Sequence, residues 1–143
     1  MKVLAMKSSG DQTSVSIILN DEINSFSMMH KRKERPNWEM FLDNIGLNKT
    51  FTLKEIDVFA FANNQNSYTA TRTIASYMKG LAVALNKPLI SIEDELKDNM
   101  EADSIALKAK EIFEKKGSDN KEFDPRNANP SYKEDVKFKK LNE

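Results

Sequence analysis

Residues 61–72 read FANNQNSYTATR, between the apolar run IDVFA and the helically spaced TIASYMKGLAVAL. A turn from a strand into a helix N-terminus is where α/β proteins hold phosphate, because free amides and the helix dipole both face the anion there. Such a turn needs glycine, which lets the backbone approach the ligand and adopt positive φ. This one carries Asn63, Asn64, Gln65, Asn66 and Ser67 instead. Asparagine tolerates the left-handed region better than most residues. The expectation is a turn kept for its geometry, with its phosphate chemistry lost.

Other reactive residues are sparse. There is no cysteine and His30 is the single histidine, which removes disulfides, cysteine–zinc sites and any H-x-x-x-H metal motif. His30 is also the one imidazole base available to a serine nucleophile. It reads as a solvated residue at a strand end. Magnesium-dependent phosphate chemistry uses a first-strand carboxylate, and two-metal nucleases need several that converge. The first strand offers Lys7, while Asp11 lies in a turn and Asp57 opens a buried run. Neither chemistry fits, and Lys7 reads as a surface residue. The run Lys31-Arg32-Lys33-Glu34-Arg35 has the charge to meet phosphates. It lacks interleaved aromatics for stacking bases, and reads as a solvated lead-in to a helix.

Composition sets the frame for these residues. The chain has 143 residues, 39% hydrophobic and 31% charged, with 22 basic side chains against 22 acidic. That is the size of one compact domain with no net electrostatic pull toward nucleic acid or membrane. The opening MKVLAMKSS turns polar too soon for a signal peptide. No apolar run reaches the roughly 18–20 residues of a membrane span. A soluble, cytoplasmic protein is expected.

The elements follow from periodicity. Residues 2–6, 13–19 and 23–29 read as strands of a meander, with turns at Gly10 and at Asn20-Asp21. The third alternates apolar and polar, as a half-buried strand does. Trp38, Phe41, Leu42 and Ile45 fall on one face of a helix from Pro36 to Ile45, with Gly46 as its C-cap. Thr52 to Glu55 forms a capping box, and residues 57–62 a buried strand. Ile74, Tyr77, Met78, Leu81, Ala82 and Leu85 mark the longest helix, about Ser67 to Leu85, which Asn86-Lys87-Pro88 stops. Residues 89–92 form a last strand. Asp103 or Ser104 caps a third helix that carries Ile105, Ile112 and Phe113 and ends before Gly117. The order β-β-β-α-β-α-β-α gives an α/β mixed sheet, a three-stranded antiparallel meander plus helices. That is the plan of a single actin-like (ASKHA) or ribonuclease H-like lobe. The lobe is expected over residues 1–92, with a short acidic linker at 93–102 and a C-terminal helix and tail at 103–143.

The segments VLAMKSSGDQTSVSIILND and LKEIDVFAFANNQNSYTATRTIASYMKGLAVALNKPLISI resemble the bacterial TsaB (YeaZ) family. The family's loop is similar to G-R-G-P-G-S-F-T-G-x-R, leading into K-G-L-A-L. Ser67-Tyr68-Thr69, Arg72 and Lys79-Gly80-Leu81-Ala82 stand at those positions. Pro130-Ser131-Tyr132 and Val136 to Lys140 are similar to the family ending P-x-Y-L-R-x-x-V-x-x-K-K. Lys7 stands where the family has an aspartate. Between Ile92 and Glu101 most of the family's second lobe is absent, so the chain reads as a shortened form.

The resemblance implies a non-catalytic scaffold in threonylcarbamoyl modification of tRNA adenosine. It would bind the catalytic subunit TsaD, with a TsaE-like ATPase joining, or a second copy of itself, and meet tRNA only indirectly. No cofactor is expected in this chain alone, with ATP or ADP at most at the partner interface. The family pairs the helices corresponding to 36–45 and 67–85 with its partners. Met40, Arg72, Ala75, Ser76, Lys79, Gly80 and Val83 are therefore the candidate interface. Two alternatives stay open: a divergent paralogue that only self-associates, and a kinase-like nucleotide-binding lobe. The small residues on the long helix also have a second reading, as aids to internal packing.

Overall fold

The computed structural model describes residues 1–9, 11–31, 37–64, 68–94, 101–116 and 123–127. Its elements are β1 (Lys2–Ser8), β2 (Gln12–Leu19), β3 (Glu22–Met29), α1 (Trp38–Asn44), β4 (Val58–Asn64), α2 (Tyr68–Leu85), β5 (Leu89–Asp94) and α3 (Ala102–Lys116). The expected order of strands and helices is the observed one. One sheet runs β3-β2-β1-β4-β5. The β1–β2 and β2–β3 pairs are antiparallel, and β1–β4 and β4–β5 are parallel. The meander therefore leads into two parallel additions, the actin-like or ribonuclease H-like plan.

β1 is central, and Val3, Leu4, Ala5 and Met6 are all buried. An unbroken apolar run is what a strand covered on both faces needs. Alternation divides the cores. Leu4, Met6, Val15, Ile17, Phe59 and Phe61 face α1 and α2, where Phe41, Leu42, Ile45, Ile74 and Met78 meet them. Val3, Ala5, Ala60, Ala62 and Ile92 face α3, through Ile105, Ala106, Ala109 and Phe113. Alanine on both sides of this second layer lets α3 lie close to the sheet. Phe123 closes its end, 5.8 Å from Phe113 between ring centroids.

Several boundaries shift for local reasons. α1 begins at Trp38, because Asn37 is its N-cap and accepts from the Met40 amide at 3.1 Å. Pro36 lies outside the described residues, as do Gly10, Gly117 and the tail 128–143. Gly46, at φ 106, follows the C-cap Ile45; its amide donates to Asp43 O and that of Leu47 to Leu42 O. This is a Schellman ending. The expected box is present: the Thr52 amide donates to Glu55 Oε1 at 3.1 Å. α2 ends in the same way on Asn86, at φ 56, with the Lys87 amide donating to Ala82 O at 2.9 Å. The expected cap of α3 at Asp103 or Ser104 is corrected. Glu101 O already accepts from the Ile105 amide at 3.1 Å, and Ala102 is a buried first-turn residue.

β3 also departs from expectation. It is the sheet's edge, and only Phe26 is half-buried, edge-on to Phe41 at 5.4 Å; the rest of the strand is exposed. Alternation predicts two faces for a strand but not whether anything covers them.

Candidate functional site

α2 is amphipathic in an unusual way. Its inner positions Ile74, Met78 and Ala82 are buried, while Thr69, Arg72, Ser76, Gly80, Val83 and Ala84 are exposed. These recur at three and four residues, so they form one outward strip. Arg72 and Lys79 are the helix's two charged residues. The rest of the strip is small or apolar, with Val83 at 44% exposure.

Gly80 lies in the middle of this strip. A Cβ built there meets no heavy atom within 4 Å. Glycine inside a helix costs about 1 kcal/mol relative to alanine, and no neighbour among the described residues requires it. What it offers is an open surface that another backbone can approach.

α1 stands beside α2. The Trp38 indole stacks on the Tyr77 ring with centroids 4.9 Å apart and planes inclined by 16°. Burial, then the charge of Glu39, raises the Tyr77 phenol above its ordinary value. Met40 is half-buried and packs against the core from α1. Arg72, Ser76, Gly80 and Val83 are brought together on the outer strip, with Lys79 half-buried at its side. Ala75 is corrected: at 5% exposure it belongs to the core under α2 and does not face outward. For this residue the internal-packing reading is right.

The strand-to-helix turn is corrected as well. Asn63 and Asn64 are not turn residues. They extend β4 and pair with Glu93 and Asp94 of β5. Asn63 is 3% exposed, and its amide Nδ2 donates to Ser91 Oγ and to Glu93 Oε1, the latter at 3.4 Å. Among the described residues, the asparagines with positive φ are Asn20, Asn48 and Asn86. Gln65, Asn66 and Ser67 lie outside the described residues. The part of the site that is described thus builds sheet, with side-chain amide chemistry linking two parallel strands.

One cluster had no sequence signal beyond its residue types. Thr13 Oγ1 donates to Ser8 Oγ at 3.0 Å and lies 2.7 Å from His30 Nε2. His30 Nδ1 lies 2.9 Å from Lys31 O. The histidine, expected to be solvated, therefore ties the end of β3 to the β1–β2 hairpin, and Thr13 is fully buried beneath it. Lys7 on β1 is half-buried. Among the described residues no group of three His, Cys, Asp or Glu side chains is placed to hold a metal ion.

No family model matches the chain. It is 29% identical over 114 residues to the tRNA threonylcarbamoyladenosine biosynthesis protein TsaB of Buchnera aphidicola subsp. Acyrthosiphon pisum, covering 79% of this chain and 47% of that protein. The chain thus spans about half the length of the curated relative it matches. Among solved structures, YeaZ from Pseudomonas aeruginosa superposes with a TM-score of 0.60 at 22% identity, over 65% of this chain and 44% of that one. An uncharacterised protein with similarity to peptidase YeaZ, from Pseudomonas aeruginosa, gives 0.56 at 25% identity, over 65% and 43%. The sequence match and the superposition agree: the chain is similar to TsaB in sequence over 79% of its length and to YeaZ in fold over 65% of it, on a five-stranded mixed sheet with helices on both faces.

Proposed function

We propose that the chain is a non-catalytic scaffold in the threonylcarbamoyl modification of tRNA adenosine, and that the outer strip of α2, with α1 beside it, receives the catalytic subunit TsaD. The relative's role in tRNA threonylcarbamoyladenosine biosynthesis supports the pathway. Gly80 carries the surface: a mid-helix glycine with open space around it, on a strip of small side chains. Packed helices normally stand 8–10 Å apart, and small residues at the contact bring them nearer. A TsaE-like ATPase would join the assembly, and tRNA would be met through the partner. The work would take place in the cytoplasm, in keeping with the absence, among the described residues, of a helix long and apolar enough to cross a membrane.

The residues present do not fit a magnesium nucleotide held by this chain alone. Lys7 occupies the first strand where a carboxylate would stand, and Asn63 is committed to β5. ATP or ADP, where the assembly uses one, belongs at the boundary with the partner.

Size-exclusion chromatography with light scattering tests the reading, using the chain alone and mixed with TsaD of its own organism. A mixed complex that Gly80→Arg abolishes is the expected result. No complex, with or without nucleotide, would sink the scaffold role and favour a paralogue that only self-associates.

A further inference from the structure

We propose a second interaction surface, separate from α2: the open edge of β3, which fits the same edge of a second copy of this chain. The backbone sets which residues are available. β2 and β3 are joined by a two-residue turn, with Leu19 opposite Glu22, Ile17 opposite Asn24, Val15 opposite Phe26 and Thr13 opposite Met28. The closing pair of such a hairpin is hydrogen-bonded, and bonded pairs then alternate along the ladder. The His30 amide, which donates to Asp11 O at 2.8 Å, continues the same alternation. Even-numbered residues therefore spend their backbone groups on β2. Ile23, Ser25, Ser27 and Met29 turn theirs to the outer edge, which no strand among the described residues covers.

An edge strand of this length is usually blunted by proline, inward charge or a bulge. β3 has none of these between Ile23 and Met29, and it exposes Ile23 at 44%, Met28 at 38% and Met29 at 66%.

Complementarity selects the occupant. A two-fold axis perpendicular to the sheet keeps each residue on its own face, so opposed residues must share parity. With the axis at Phe26, Ile23 lies opposite Met29 of the second copy, and Ser25 opposite Ser27. Asp21 then falls opposite Lys31. Apolar meets apolar and acid meets base, as favourable cross-strand pairs require. Moving the axis to Ser25 or Ser27 would instead set Ile23 against Ser27 or Lys31. Asp21, Glu22 and Lys31 are exposed and form no salt bridge among the described residues. The pairing would extend the sheet continuously through both copies and leave the outer strip of α2 open.

Sedimentation velocity of the full chain over a range of concentrations is the test. The expected result is a reversible dimer. Ser27→Pro should raise its dissociation constant about tenfold or more, because that amide faces the open edge and the β2 ladder does not use it. Lys31→Glu should weaken the dimer, and adding Asp21→Lys should restore it. These exposed charge changes decide the matter even if the proline variant folds poorly. A monomer at every concentration would overturn the proposal, as would a dimer indifferent to Ser27→Pro and to charge reversal. A dimer that Gly80→Arg dissolves and Ser27→Pro does not would assign self-association to α2, and would also overturn it.

Discussion

Trp38 and Tyr77 lie face to face, 4.9 Å between centroids, and this contact is where α1 is fastened to α2. Both rings are half-buried, so the pair forms a lid on the helical side of the core. Trp38→Ala should cost about 2–3 kcal/mol, below the loss for a fully buried tryptophan. Denaturant unfolding would measure it. Because α1 would then lose its anchor, the proposed binding of TsaD should weaken even though the α2 strip is intact.

The Tyr77 phenol gives the fold an alkaline limit. Burial and Glu39 raise its pKa above 10.0, so the folded state favours the neutral phenol more than the unfolded chain does. Its contribution to stability is complete below the ordinary tyrosine value and is lost as pH rises through the raised one. Thermal unfolding between pH 9 and about 11.5 should show a decline, and Tyr77→Phe should remove part of it.

Gly80 offers the opposite sign from most helix substitutions. Gly80→Ala meets no neighbour and restricts the unfolded chain, so stability should rise by about 0.5–1 kcal/mol. That corresponds to roughly 2–5 °C in Tm for a domain of this size. The same variant should bind TsaD less tightly if the glycine serves close helix approach.

Arginine separates surface from core on the same helix. Gly80→Arg should fold normally and lose the proposed complex with TsaD. Ala75→Arg drives a charge into the core that holds Met78 and Ala82, and should fail to fold, at a cost of several kcal/mol. Circular dichroism and light scattering on the pair distinguish the two effects.

Gly46 is the contrasting glycine. Its φ is 106, and a Cβ there would run into the Thr50 hydroxyl. Gly46→Ala should destabilise by about 1–3 kcal/mol, read as a lowered denaturation midpoint, without touching the α2 strip.

Much of this was legible in the residues. Ile74, Tyr77, Met78, Leu81, Ala82 and Leu85 announced α2, because a helix buries one side at a period near 3.6. The buried run at β4 and the β-branched β2 were equally readable. The site was legible where exposure follows from that same period, as at Ser76, Gly80 and Val83, and misread at Ala75. A small residue one step round the helix is compatible with either side, and what decides is whether Met78 and Ala82 crowd around it.

Local sequence by itself determined the order of the elements, the two glycine and asparagine helix endings and the faces of the long helix. All of these depend on backbone sterics and spacing along the chain. Only the tertiary structure decided that Asn63 extends a strand, since the Ser91 and Glu93 groups that hold it lie about thirty residues away. It likewise decided that His30 is tied to Thr13 and that β3 is an edge. Sheet order is set by which strands find partners across the chain, and no local period records that.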